Sequence, residues 1–552
     1  MGAPGTMEEL MNSTEKYQLV FVSAEVAPWS QTGGLGAVMD GLPTTLAARG
    51  HRVMSVAPRY DQYADAWDTS VRMEVKMGPV DTEVGYFHTY KQKVDRVWVD
   101  HSAFLEKVWG LTKEKLYGPK WGKDFDDNQA RFSMFAQAVL GAIKLIPLGG
   151  YPYGEDVIIL CNDWHSSLVP LYLDYYRQLE PGSWKTTKTI FVSHNMVYQG
   201  RFPLRADHKN ILNLPQKYID DMSCFMPLKV GRKHPKVSCL NWMMGAFKYS
   251  DQLMTVSPGY SSEILAGPIK GVELDELAGV HKGKMVGILN GLKDNVVPYN
   301  KEMKTKGGLA TVYTEETLER KLICKAQLQK KFDLPVDPEI PVFCFLGRYD
   351  VQKGIDIMFE AFADGLLDEQ EFQVIIMGSG TEELVDKAIF LAEKYPDKFK
   401  AVLQFKGAEK YQVFAGADYA LVPSRYEPCG LVQMEAMRMG TIPVVSPTGG
   451  LNDTVVDGET GLILERELDP ESEVLPEDVD VIKAGIIRAI EVFKDSETIL
   501  SMRRSGMKVS SGFTWKKAAQ EYEALFKSIG GADVSPISVL ELGDTAAEEK
   551  VV

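Results

Sequence analysis

From Tyr17 onward, short apolar runs alternate with longer amphipathic stretches. "YQLVFVSA", "HRVMSVAP", "DVIILCND", "KTIFVSHN" and "DQLMTVSP" are unbroken enough to be strands buried on both faces. Helical spacing separates them, and this order predicts a parallel α/β sheet. A polar stretch from Pro298 to Pro341 interrupts the rhythm and holds one helix-like run, "TEETLERKLICKAQLQKKF". The alternation then restarts with "VFCFLGR", "FQVIIMGSG", "AVLQFKG", "DYALVPS" and "TIPVVSP". The pattern therefore predicts two doubly wound domains, and 552 residues are enough for two cores. In such folds ligands bind beyond the carboxyl ends of strands, so two facing domains make a cleft lined from both sides.

The expected divisions are a disordered start over 1–16, a first domain over 17–297 and a second over 298–512. A closing helix over 513–530 and a disordered acidic tail over 531–552 complete the chain. A net charge of -15 excludes a broad nucleic-acid surface. No apolar run is long enough to span a bilayer. The first residues show neither a hydrophobic signal core nor an Arg-rich transit pattern, which leaves a cytosolic protein or one whose targeting segment has been removed. The six cysteines are scattered without a C-x-x-C pair and are expected as buried thiols. The eight histidines lack ligand spacing, so no metal and no cofactor is expected.

Chemistry concentrates at strand ends. Gly33, Gly34 and Gly36 follow the first strand and open a helix, where N–H groups face an anion. The polar side chains beside them, Ser30, Gln31 and Thr32, carry no positive charge. "TGGL" recurs at Thr448–Leu451, either as an echo of two similar halves or as a chance turn peptide. Arg348 and Lys353 could grip a diphosphate, one as a fork and one as a point charge. Glu427 lies in a loop before Pro428 and suits sugar hydroxyls. Cys429, Gly430 and Leu431 offer N–H groups at a helix start expected near Gly430. Glu435 either reaches a ribose or is an exposed helical glutamate. Asp163, His165, His194 and Asn195 end two strands and are expected to face the same cleft.

Together with "LYGPKWG", "DNQARFS", "LNWMMGAFKYSD" and "SRYEPCGLVQMEAM", these runs resemble the starch and glycogen synthase family of glycosyltransferases, particularly its granule-bound branch. The likeness runs from about Val20 to Phe526 and implies the GT-B arrangement of two facing Rossmann-like domains. It implies a donor such as ADP-glucose or UDP-glucose, an α-1,4-glucan acceptor and a metal-free, configuration-retaining transfer. It also implies attachment to the starch granule, in the plastid stroma if a transit peptide has been removed. By the family's motifs, Arg348 and Lys353 bind the diphosphate and Glu427 holds the donor glucose. Cys429, Gly430 and Leu431 supply backbone contacts; Asp163, His194, Asn195 and Asn290 line the glucose pocket. Gly33 and Gly34 form the donor loop, and Phe405 sits beside the base.

Three positions depart from the family pattern. Gln31 replaces the lysine of K-T-G-G-L-G-D-V, Ala37 its aspartate, and Lys293 the aspartate of N-G-[IMV]-D. Losing the loop lysine removes a stabilising charge that typically contributes about 2–4 kcal/mol to a transition state. The departures leave a second reading open, a glucan-binding homologue with weakened catalysis. An acceptor other than a glucan fits a near full-length likeness poorly, and an oxidoreductase lacks its G-x-G-x-x-G loop.

Overall fold

The computed structural model describes residues 15–108, 116–119, 123–228, 234–281, 285–404, 407, 409–471 and 473–530. Phe405, the first fourteen residues and the acidic tail from residue 531 lie outside the described residues.

Among the described residues, the first lobe is built on a nine-stranded sheet. From edge to edge it runs Val286–Gly287, Gln252–Thr255, Lys188–Ser193, Ile158–Asn162, Gln18–Val22, Arg52–Pro58, Val94–Asp100, Val80–Lys91 and Trp67–Met77. The five apolar runs read from the sequence are parallel central strands, and Gln18–Val22 is buried along its whole length. Val80–Lys91 and Trp67–Met77 extend the sheet in antiparallel fashion. They were not foreseen because Trp67–Met77 is mostly exposed and carries few core residues. A separate three-stranded antiparallel sheet joins Arg201–Pro203, Lys236–Asn241 and Ser223–Pro227.

The second lobe has a six-stranded, wholly parallel sheet in the order Phe399–Val402, Gln373–Met377, Val342–Leu346, Tyr419–Val422, Ile442–Val445, Leu462–Ile463. Both lobes are thus doubly wound. In the first, the chain order reverses between Gln18–Val22 and Ile158–Asn162; in the second, between Val342–Leu346 and Tyr419–Val422. Crevices open at such reversals.

The final helix, Trp515–Ser528, packs on the first lobe. Its Trp515 fills the space beside Gly41, where an added Cβ would come within 2.2 Å of the indole nitrogen. Glu523 receives Arg49 at 2.6 Å and His51 at 2.9 Å. Two strands of chain therefore join the lobes, and they touch: Leu292 N donates to Phe513 O at 3.0 Å. Arg438 clamps the pair by donating to Lys293 O at 2.9 Å and to Ser510 O and Phe513 O at 2.8 and 2.9 Å. No described helix is long and apolar enough to cross a membrane.

Candidate active site between the lobes

The first strand ends at Val22, and the helix Gly34–Ala48 begins twelve residues later in the turn that carries the glycines. The N–H groups of that turn are not all free for a ligand. Glu25, 3% exposed, accepts from Thr32 N at 2.7 Å, Thr32 Oγ1 at 2.5 Å and Gly33 N at 3.4 Å. Tyr117 adds its hydroxyl at 2.6 Å. This corrects the expectation that the loop simply presents its N–H groups outward, because a carboxylate from the same chain already occupies that position. Gln31 is exposed and turns its amide onto Gly33 O at 2.9 Å. Space beside Gly33 and Gly34 stays open, with no atom within 4 Å of an added Cβ.

The second "TGGL" turn is held in the same way. Glu263 accepts from Gly449 N at 2.8 Å and from Thr448 Oγ1 at 3.2 Å. Here the carboxylate belongs to the first lobe and the turn to the second. Gly449 has φ +48, and a Cβ there would stand 2.2 Å from Glu427 O, so glycine is required.

Asp163 caps the strand Ile158–Asn162 with φ 57, a conformation that side chains rarely adopt. Its carboxyl accepts from His194 N at 2.7 Å and is half-buried, close to Glu25. Burial, with the Glu25 charge adding to it, outweighs the backbone bonds and lifts the Asp163 carboxyl to about 7. The sign for stability follows: a carboxyl raised from 3.8 to about 7 costs the folded state more as pH rises between those values. Asp163→Asn keeps an acceptor for His194 N and removes the titration. Its stability relative to the parent should therefore improve by about 2–4 kcal/mol from pH 4 to pH 7, read from denaturant midpoints. A pH-independent difference would show that Asp163 does not titrate there.

His194 follows the strand Lys188–Ser193, with Nε2 2.9 Å from Asn162 Oδ1. The Asn162 amide donates to Val22 O and Leu160 O, so His194 Nε2 must be the donor and Nδ1 the acceptor. Burial lowers the ring to about 4, which keeps it neutral. His165, in contrast, does not line the cleft. It is buried, stacked on Tyr117 at 4.4 Å and against Trp164 at 4.0 Å, with no partner for either ring nitrogen among the described residues. Its neighbours are rings rather than acceptors, so it acts as a packed aromatic.

Across the cleft, Arg348 and Lys353 follow the strand Val342–Leu346. Gly354 makes the turn possible with φ +67, and a Cβ there would lie 1.9 Å from Pro423 O. Lys353 Nζ donates to Glu427 Oε2 at 2.5 Å, and Ser424 Oγ to the same oxygen at 2.9 Å. One amide oxygen, Gln352 Oε1, accepts from both Arg348 Nη2 and Asn195 Nδ2 at 3.3 Å. Gln352 thus ties the two lobes at the centre of the site, although sequence reasoning passed over it. The Arg348 guanidinium also lies near Tyr198 of the first lobe. Asn290 lies against the Cys429 thiol, which burial raises to about 12. Ser257 Oγ reaches Pro428 O at 2.7 Å.

The helix after this turn is Val432–Arg438, not one starting near Gly430. Gly430 has φ 72, which a helix cannot include, so Cys429 and Gly430 belong to the turn and Leu431 flanks the helix. Glu435 is not an exposed helical glutamate. It is 14% exposed and receives Lys410 Nζ at 2.7 and 2.9 Å. Lys293 pairs with Asp40 at 2.5 Å. Asp40 lies one turn beyond Ala37 on the glycine helix, so the charge change at 293 meets an acid on that helix.

Residues 18–278 match the starch synthase catalytic domain, and residues 327–474 match glycosyl transferases group 1. Granule-bound starch synthase 1 of Pisum sativum is 44% identical over 92% of this chain and 82% of its own length. The Solanum tuberosum protein of the same name is 42% identical over 94% and 84%. The chain belongs to the starch synthase family of glycosyltransferases. A solved member, the catalytic domain of starch synthase IV from Arabidopsis thaliana bound to ADP and acarbose, superposes with a TM-score of 0.76 at 26% identity. That match covers 94% of this chain and 99% of the other. Sucrose-phosphate synthase from Thermosynechococcus elongatus shares the fold at a TM-score of 0.56 and 18% identity. The two doubly wound lobes are therefore a GT-B pair, and the family's motif positions fall at both strand-order reversals, facing one another.

Proposed function

We propose that the protein is a retaining glucosyltransferase of starch synthesis, carrying glucose from ADP-glucose to the non-reducing 4-hydroxyl of an α-1,4-glucan. Its names among relatives further suggest amylose synthesis on the granule, within the plastid. One observation carries the mechanism: the Lys353–Glu427 pair at the second lobe's crevice, opposite Asp163 and His194. In the free site these two charges satisfy each other. A nucleotide-sugar would separate them, its diphosphate taking Lys353 and Arg348 while the glucose hydroxyls take Glu427. His194 Nδ1 and the Asp163 and Asn195 side chains then bind glucose from the first lobe.

The bond from glucose C1 to the phosphate oxygen breaks through an oxocarbenium-like state. Arg348 and Lys353 stabilise the departing diphosphate. The acceptor 4-hydroxyl attacks C1 from the face the diphosphate leaves, and its proton passes to a phosphate oxygen. Contact between the lobes excludes water, which would otherwise hydrolyse the donor. Glu427 positions the sugar and is not assigned as a covalent nucleophile. Glu435 with Lys410 stands where a ribose contact was expected, so ADP-glucose and UDP-glucose should be compared in direct competition.

The test incubates purified protein with each donor and a maltooligosaccharide. Chain extension is expected, fastest with ADP-glucose, and its absence with both donors would favour the catalytically weakened glucan binder. Gln31→Lys separates the two readings further. Position 31 is exposed above the donor loop, so a lysine there should raise kcat by about tenfold or more. No gain from an already slow parent would show that the missing cation is not what limits it.

A further inference from the structure

The transfer chemistry leaves one reactive pair unused. Cys224 and Cys239 stand directly opposite one another in the antiparallel ladder between Ser223–Pro227 and Lys236–Asn241. Their sulfur atoms are 3.4 Å apart. Opposed residues in such a ladder have Cα atoms about 4.5–5.5 Å apart, inside the span of a disulfide. Closing the bond therefore asks for side-chain rotation and little backbone movement. Cys239 is buried and Cys224 half-buried, so Cys224 is the sulfur that an external reagent meets first.

The hydrogen bond from the Cys224 thiol, working against burial, draws Cys239 down to about 7, and the nearby Arg201 guanidinium favours the same charge. Among the described residues, the charged groups acting on the pair are Arg201 and Glu273, which themselves pair at 3.3 Å.

The ladder leads to the cleft. Cys239, Leu240 and Asn241 pair with Pro203, Phe202 and Arg201. The strand Arg201–Pro203 follows directly on the loop that presents Asn195 and Tyr198 to the second lobe. Asn241 Nδ2 donates to Gln199 Oε1 at 2.5 Å, and Gln199 Nε2 to Met196 O at 2.8 Å. A cross-link would brace the sheet from which this loop hangs.

We propose that Cys224 and Cys239 form a reversible thiol–disulfide switch that stiffens the cleft loop from Asn195 to Gly200. The oxidant is a small-molecule or protein disulfide. The Cys224 thiol passes its proton to the Cys239 thiolate, and the Cys224 sulfur so freed attacks the reagent disulfide and releases one thiol; the Cys239 sulfur then gives up that proton to the medium, attacks the Cys224 sulfur and releases the second. Two protein thiols become one disulfide, and the reagent disulfide becomes two thiols.

The test uses the full chain in glutathione buffers running from reduced to oxidised. Thiols are counted after denaturation, links are mapped by mass spectrometry, and amide hydrogen exchange is followed at 195–200. Two of the six thiols should disappear into a single Cys224–Cys239 link that dithiothreitol reverses. Exchange in the loop should slow about fivefold or more. Cys224→Ser and Cys239→Ser should each abolish both effects while leaving basal glucose transfer intact. Six thiols throughout, glutathione adducts without a link, or a link to another cysteine would each overturn the switch. A correct link with unchanged loop exchange would overturn its coupling to the cleft. Because neither readout needs turnover, failure of the proposed transferase activity would be seen separately.

Discussion

Lys353→Ala should lower the rate of glucose transfer by about two to three decades, and Arg348→Ala by about as much. The reason is charge supply. The donor loop contributes no cation of its own, since Gln31 is neutral, and its two leading N–H groups already face Glu25. The departing diphosphate must draw its stabilisation from across the cleft. Lys353→Ala has a second consequence, because it leaves Glu427 with Ser424 as its remaining side-chain donor on Oε2. A buried carboxylate stripped of its cation destabilises the lobe, here by about 1–3 kcal/mol. Single-turnover kinetics at saturating donor, run beside thermal unfolding, separate the two effects. Near-parental turnover in both variants would remove the assigned charge source.

The largest effect on stability is expected at Glu25. Glu25→Ala should cost about 3–5 kcal/mol, because it strands Thr32 N, Gly33 N and the hydroxyls of Thr32 and Tyr117 around a vacated buried position. Glu25→Gln keeps the shape and one acceptor oxygen, but points an amide donor at one of the same donors. It should cost roughly half as much. Either change also takes a negative charge away from Asp163, so the carboxyl there should titrate lower than in the parent. Denaturant midpoints and proteolysis within 28–36 are the measurements. If Glu25→Ala unfolds at the parental midpoint, the carboxylate is not what holds the loop.

The sequence was informative wherever burial forces a pattern. Central parallel strands are covered on both faces, so unbroken apolar continuity, as in Leu19–Val22 ("LVFV") or Val342–Leu346 ("VFCFL"), announces them. Strand-end chemistry follows from the same logic, since Asp163, His194, Arg348 and Lys353 all come within a few residues of such a run. The two antiparallel edge strands escaped because one-sided exposure dilutes their apolar positions. Glu25 escaped for a different reason: a single acid after a strand is unremarkable until the chain folds its own loop back onto it. The Lys353–Glu427 pair, Gln352's bridge to Asn195 and Lys293's bond to Asp40 join residues far apart in the chain. Spacing along a sequence carries no trace of such meetings. His165 shows the opposite failure, a polar residue in a promising motif that the fold spends on packing among rings.

The paired crossings at Leu292 and Phe513 have a mechanical consequence. Two connections pinned side by side and clasped by Arg438 act as the knuckle of a door: the second lobe can swing, but it resists sliding or twisting away. Trp515, two residues past the knuckle, is seated against Gly41 of the helix that the glycine turn opens. The hinge is thereby mounted on the first lobe, against that same helix, so the second lobe turns about an axle held fixed beside the glycine turn.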